Sequence, residues 1–163
     1  MKTVKEYLVQ LMDSETPAFE RVLLALPSDK LDWKPDVKSA TAGERASQIA
    51  MEGGHMADVF QTGVINYDPA AKPSYASTAD MVTTFKDGMG KAKAAIQAMS
   101  DADWESPAKM VMGEKEMWKT TKGDMGLTLM LDLIHHRGQL SVYLRPMGGK
   151  VPSIYGPSAD SNE

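Results

Sequence analysis

The chain has 163 residues, of which 42% are hydrophobic and 25% are charged, and its net charge is −4. This composition predicts one globular domain and offers no basic surface for nucleic acid. The absence of cysteine excludes disulfides, thiolate metal sites and cysteine nucleophiles. No apolar run approaches the roughly 20 residues of a membrane span, and the first residues lack the apolar stretch of a signal peptide. We therefore expect a cytoplasmic protein that does not contact a membrane.

The first half of the chain predicts two long helices. Residues 3–25 carry apolar side chains three, four and seven positions apart, which is the pattern of an amphipathic helix. Pro17 lies inside this segment and predicts a kink or a broken turn. A second helix is predicted over residues 42–63, where Thr41 as N-cap and Glu44 three residues later form a capping box.

The second half predicts two more helices and no strand of useful length. A proline-containing loop over residues 66–77 leads into a helix that starts at Ser77 or Thr78 and keeps its apolar periodicity to Met99. Residues 101–122 have a weaker pattern and are expected to form a loop that can close over a cleft. The last helix is predicted over residues 124–147 and is apolar almost all round at its start, so it should be the most buried.

These elements predict an all-α fold in which four helices of about 20 residues form a four-helix bundle. The bundle is expected to occupy residues 1–150. Residues 151–163 are polar and are predicted to form an extended C-terminal tail that becomes disordered at its acidic end.

Ionisable side chains interrupt the apolar sequence of the last helix. His135 and His136 are adjacent, and Asp132 lies four residues before His136, on the same helical face. Burying such groups is costly unless they are paired, hydrogen-bonded or bound to a metal. Arg137 supplies one alternative explanation, because it can form an ion pair with Asp132 or with a neighbouring helix.

A second polar face lies on the helix over residues 42–63. Gln48, Glu52 and His55 follow one another at helical spacing, and the Gly53–Gly54 pair between them predicts close packing against a neighbour or a local irregularity. If the two polar faces meet, they supply two imidazoles and two carboxylates. That donor set suits Zn, Ni, Fe or Mn, whereas Ca and Mg prefer shells made of oxygen alone. As an alternative, His55 is a hydrogen-bonded histidine with no ligand role.

The segment from His135 to Arg145 resembles the DinB/YfiT-like superfamily, and its continuation to Ser158 is similar to the tail of one bacterial DinB subgroup. The resemblance implies a four-helix bundle that often forms a homodimer. It also implies a divalent metal held by three histidines, one from the second helix and a His-x-x-x-His pair from the last. Characterised relatives include thiol S-transferases that use low-molecular-weight bacterial thiols, and maleylpyruvate isomerase-like enzymes.

Transferred to this sequence, the histidine pattern is incomplete. His136 matches the second histidine of the pair, and Asp132 stands where the first is expected. If the pair is aligned from His135, its partner is Gln139, a poor ligand. In the second helix Gln48 stands at the expected histidine position, and His55 follows seven residues later.

The resemblance and the residues together lead to two functional hypotheses. The first is a metal-dependent enzyme, a thiol S-transferase or hydrolase that acts on a small molecule or a low-molecular-weight thiol with Zn or Ni. Its expected ligands are His136, Asp132 and His55, with Gln48, Glu52 and His135 as further candidates; His135 is expected to support the site by hydrogen bonding. The second is a metal-free binding or dimerisation protein that has lost the histidine triad.

Overall fold

The computed structural model describes residues 2–71 and 73–161, and four long helices make up most of it. They are α1 (Val4–Leu24), α2 (Ala42–Thr62), α3 (Thr78–Ala98) and α5 (Lys122–Leu144), and a one-turn helix, α4, spans Asp101–Trp104. Both α1 and α2 pack against α3 and α5, so the long helices surround one hydrophobic core. Across the described residues, no helix combines the length and the apolar character needed to cross a bilayer.

Local signals in the sequence set the helix boundaries. The capping box predicted for α2 is confirmed: the Thr41 hydroxyl accepts a hydrogen bond from the Glu44 N–H, and the Glu44 carboxylate accepts one from the Thr41 N–H. The predicted broken turn at Pro17 is wrong, because α1 continues through this residue. Burial of Met12 and Phe19 on either side of it offsets the one backbone hydrogen bond that proline cannot make.

Two glycines allow α2 and α3 to approach closely. A Cβ atom at Gly53 would lie 2.6 Å from the carbonyl oxygen of Phe85, and one at Gly88 would lie 2.2 Å from the carbonyl carbon of Gly53. The Gly53–Gly54 pair therefore reflects close packing, and α2 is continuous through it. The opposite side of α2 remains available to face α5.

A small three-stranded sheet follows α2 and precedes α5. Strand β1 (Val64–Asn66) pairs in parallel with β2 (Pro107–Met112), which pairs antiparallel with β3 (Lys115–Thr121). The all-α prediction and the loop predicted over residues 101–122 are wrong in this region. Ala108 is the one fully buried residue of β2 and β3, so the alternation of apolar and polar residues that marks a strand is weak.

The C-terminal segment folds back onto α1 and α5. The Tyr155 hydroxyl donates a hydrogen bond to Glu15 at 3.0 Å and accepts one from Arg137 at 2.5 Å. Asp160 accepts hydrogen bonds from the Val151 N–H and from Arg145. The disorder predicted for the acidic end is therefore wrong up to residue 161, because Asp160 pairs with Arg145. Residues 162–163 of the predicted tail lie outside the described residues.

Candidate metal centre

Helices α2 and α5 bring three potential metal ligands together. One donor atom each from Glu52, Asp132 and His136 lies within 4.8 Å of the other two. Glu52 and His136 are buried, and Asp132 is half-buried. The three residues therefore form a compact donor group of one nitrogen and two carboxylates, which we call the Glu52–Asp132–His136 group.

The closest two donors of this group come from consecutive turns of α5. Asp132 Oδ2 lies 3.1 Å from His136 Nε2. Two ligands bound tetrahedrally to one ion, with bonds of about 2.1 Å, would lie about 3.4 Å apart. The observed separation is therefore close to what a shared ion requires.

Hydrogen bonds fix the orientation of the His136 ring. His136 Nδ1 lies 3.2 Å from Gln139 Oε1, which can only accept, so this contact is a hydrogen bond in the tautomer whose proton is on Nδ1. The Gln139 amide nitrogen in turn donates to Nε2 of the exposed His135 at 2.8 Å. Burial is the largest cause of a lowered pKa for His136, which favours its neutral form. In this tautomer Nε2 of His136 carries the lone pair that metal coordination requires, and it lies 3.1 Å from Asp132 Oδ2.

Glu52 provides a test of whether a cation fits here. Its Oε2 atom is buried and receives no hydrogen bond from a described donor, and the facing carboxylate of Asp132 can satisfy it only by sharing a proton. Burial first, and then the negative charge of Asp132, raise the pKa of Glu52 from 4.5 to about 8. A buried acceptor without a partner is costly, and a cation bound between these carboxylates and His136 would remove that cost. The donor group therefore fits a divalent metal.

A cavity of about 690 Å³ opens onto the donor group. Its wall combines polar side chains of α2 and α5 with apolar side chains from the loop after β1, from β2 and from α5; among them are Gln48, Glu52, Asp132, Pro69, Met110 and Leu129. These dimensions and this mixed lining are typical of a small-molecule site.

The structure places the remaining sequence-predicted candidates around the group. His55 lines the same cavity but does not belong to the Glu52–Asp132–His136 group, and burial lowers its pKa. Gln48 contacts His136 and Glu52 through its amide nitrogen. Two ion pairs were considered for Arg137, one with Asp132 and one with a neighbouring helix. The structure shows the second, because Arg137 binds Glu15 of α1.

One residue of the site was missed in the sequence. Arg45 NH1 lies 2.5 Å from Gln48 Oε1 and contacts both ring nitrogens of His136, at 3.1 and 3.5 Å. The spacing of Arg45 could have identified it, because Arg45 precedes Gln48 by three residues and therefore lies on the same helical face. Its charge reduces the negative potential around the two carboxylates.

Comparisons with known proteins agree with the helical architecture. The chain resembles the crystal structure of a DinB-like protein from Bacillus subtilis, with 20% sequence identity and a TM-score of 0.65 over 96% of this chain and 99% of that one. It also resembles a DinB-like protein from Bacillus cereus, with 19% identity and a TM-score of 0.70 over 91% of this chain and 95% of that one. No curated protein sequence gives a significant match. The family profile described as the DinB family matches residues 1–163, and the chain belongs to the DinB family.

Proposed function

We propose that this protein is a divalent-metal-dependent enzyme that acts on a small molecule in the cavity between α2 and α5. The observation that carries the proposal is the convergence of Glu52, Asp132 and His136, of which Glu52 and Asp132 line a cavity of about 690 Å³. These three residues are the proposed ligands. Three protein ligands leave coordination positions open towards the cavity, as catalytic sites need.

The donor set narrows the choice of metal. One imidazole and two carboxylates suit Zn, Mn, Fe or Ni, and the nitrogen donor disfavours Ca and Mg. Zn and Ni remain the ions that the sequence favours. Glu52 replaces His55 in the ligand set expected from the sequence, because Glu52 is the residue of α2 whose oxygen lies within reach of both α5 donors.

The proposed chemistry is thiol transfer or hydrolysis. A metal ion of this kind lowers the pKa of a thiol or a water molecule and supplies a nucleophile near neutral pH. Gln139 accepts a hydrogen bond from His136 Nδ1, which leaves the Nε2 lone pair for an ion beside Asp132. His55 projects into the cavity three residues from Glu52, where it can hydrogen-bond to a bound small molecule.

A second candidate function is a metal-free DinB-like binding protein. The observation that favours it is the contact of Arg45 and Gln48 with His136, because these side chains give the imidazole partners without a metal. In this alternative the cavity binds a small molecule, and Glu52 keeps its proton near neutral pH because burial raises its pKa to about 8.

Metal analysis distinguishes the two functions. Protein purified without a histidine tag is dialysed against Zn²⁺ or Ni²⁺, and the bound metal is measured by inductively coupled plasma mass spectrometry. We expect about one equivalent in the wild type and in the matched control His55→Ala, and a loss of metal in His136→Ala and Glu52→Gln. Substoichiometric metal in the wild type, unchanged in His136→Ala, would falsify the proposal and favour the metal-free alternative.

A further inference from the structure

Gln48 lies between two of the proposed metal ligands. Its Nε2 atom is 2.7 Å from His136 Nε2 and 3.3 Å from Glu52 Oε1. Those two contacts place an amide N–H group beside the atoms that a shared ion would bind. Gln48 thus contacts the donor group from the side of α2, one turn before Glu52.

Arg45 determines which end of the Gln48 amide faces His136. A guanidinium group only donates hydrogen bonds, so the Gln48 atom 2.5 Å from Arg45 NH1 must be the oxygen. The amide nitrogen therefore faces His136 and Glu52. Arg45 NH1 lies 3.1 Å from His136 Nδ1 and 3.5 Å from Nε2, so Gln48, at 2.7 Å, is the nearer donor to Nε2.

The hydrogen bonds of His136 then form a consistent set. Nδ1 donates to Gln139 Oε1, and the Nε2 lone pair accepts the N–H of Gln48. The opposite tautomer would set two donors against each other at 2.7 Å and two acceptors against each other at 3.2 Å, and these two conflicts outweigh the one hydrogen bond that it would form with Asp132 Oδ2 at 3.1 Å. In the metal-free protein, Gln48 therefore occupies the lone pair that a metal would use.

We propose that the Arg45–Gln48 pair competes with the metal for His136, so that Gln48 sets metal affinity by opposing binding and is not itself a ligand. This inference rests on the proposed metal site. If the Gln48 amide turned to offer its oxygen to an ion, its N–H groups would face the donors of Arg45. Arg45 thus favours the amide orientation that excludes the ion, and an ion is retained only where its own bonds offset the loss of these hydrogen bonds.

The test compares Zn²⁺ affinity, measured by chelator competition, in variants that remove the competing groups. Gln48→Leu keeps the size of the side chain and removes the N–H group, while Arg45→Met keeps the aliphatic stem and frees the amide. We expect each to bind Zn²⁺ about 10-fold more tightly, because one competing hydrogen bond is removed. The matched control is Arg145→Met: Arg145 follows the last residue of α5 and pairs with Asp160 of the C-terminal segment, so this variant should bind Zn²⁺ like the wild type.

A second readout does not depend on metal. Long-range ¹H–¹⁵N correlation spectra of the metal-free protein should show the Nδ1–H tautomer of His136 in the wild type. An Nε2–H tautomer, or Zn²⁺ binding by Gln48→Leu that is equal to or weaker than wild type, overturns this role for Gln48 alone. If no variant shows His136-dependent Zn²⁺ binding, both the proposed metal site and the competing role are wrong, whatever the tautomer.

Discussion

Asp132 and His136 face each other with two electron-rich atoms, since Asp132 Oδ2 lies 3.1 Å from the Nε2 lone pair of His136. The hydrogen bond from His136 Nδ1 to Gln139 leaves no proton on Nε2 for the carboxylate to accept. Two neighbouring acceptors repel, and the Gln48 N–H group at His136 Nε2 carries only a partial positive charge, so a cation offsets the repulsion more fully. The pair therefore favours a positive charge between Asp132 Oδ2 and His136 Nε2. The two atoms lie close together because their residues are four positions apart on α5.

We expect Asp132→Asn to weaken Zn²⁺ binding at least 100-fold and to leave the metal-free protein as stable as the wild type. The amide can turn its N–H group towards His136 Nε2, which removes the repulsion between the two acceptors, whereas the anionic ligand is lost. Chelator competition gives the affinity, and thermal unfolding in the presence of a chelator gives the stability. Unchanged Zn²⁺ binding would exclude Asp132 as a ligand.

Glu52 predicts a pH dependence of stability in the metal-free protein. Its pKa is about 8 in the folded state, mainly because of burial, against an ordinary value of 4.5. The folded protein therefore holds a proton that the unfolded chain releases, so the stability due to Glu52 is fully present below pH 4.5 and is lost as pH rises to about 8.

The matched variant is Glu52→Gln, which cannot ionise. We expect its free energy of unfolding, relative to wild type, to increase with pH over this window and to level off above it, with a gain on the order of 4 kcal/mol between pH 5 and 9. Urea denaturation from pH 5 to 9 in the presence of a chelator measures the difference. A difference that does not vary with pH would mean that Glu52 ionises normally.

The sequence was sufficient to predict the long helices because their signals are local. Apolar periodicity and the Thr41 capping box depend on residues within a few positions of one another. Asp132 and His136 were predictable as partners for the same reason, since one helix sets their spacing. The strands carried no comparable signal, because most of their side chains are at least partly exposed.

The choice between Glu52 and His55 could not be made from the sequence. Both lie on one face of α2, about one turn apart, and their relation to Asp132 depends on how far α2 is shifted along α5. That shift follows from the packing of the whole core, including the contact of Gly53 with α3. Arg45 was missed because a charged residue near a helix start is usually solvated.

The Gly53–Gly54 pair predicts opposite effects for two adjacent substitutions. Gly53→Ala would place a Cβ atom 2.6 Å from the backbone oxygen of Phe85, which cannot move without shifting α3. We expect a loss of about 2–3 kcal/mol in the free energy of unfolding. Gly54→Ala meets no atom within 4 Å and should stabilise α2 by up to about 1 kcal/mol.

Urea denaturation of both variants measures these free energies under identical conditions. Gly54→Ala serves as the control for the change in helix propensity, which is the same at both positions. If both substitutions were stabilising, the close contact between α2 and α3 would not exist in solution.

The buried ion pair of Arg137 and Glu15 predicts how strongly the C-terminal segment stabilises the protein. Arg137 is 2% exposed and Glu15 is 5% exposed, and the Tyr155 hydroxyl bonds to both. Glu15→Gln leaves the guanidinium without its counter-charge in the interior, so we expect a loss of about 3–5 kcal/mol. Tyr155→Phe removes only the hydroxyl and should cost about 1 kcal/mol.

Thermal and urea denaturation of the two variants check these values, and Tyr7→Phe is the matched control because Tyr7 is exposed on α1. We expect the control to change stability by less than about 0.5 kcal/mol. The Tyr155 ring also covers the Arg137 guanidinium, with 5.0 Å between its centroid and the guanidinium carbon. Tyr155→Ala should therefore cost more than Tyr155→Phe, since it opens the ion pair to water; equal losses would mean that the segment after α5 does not cover Arg137 in solution.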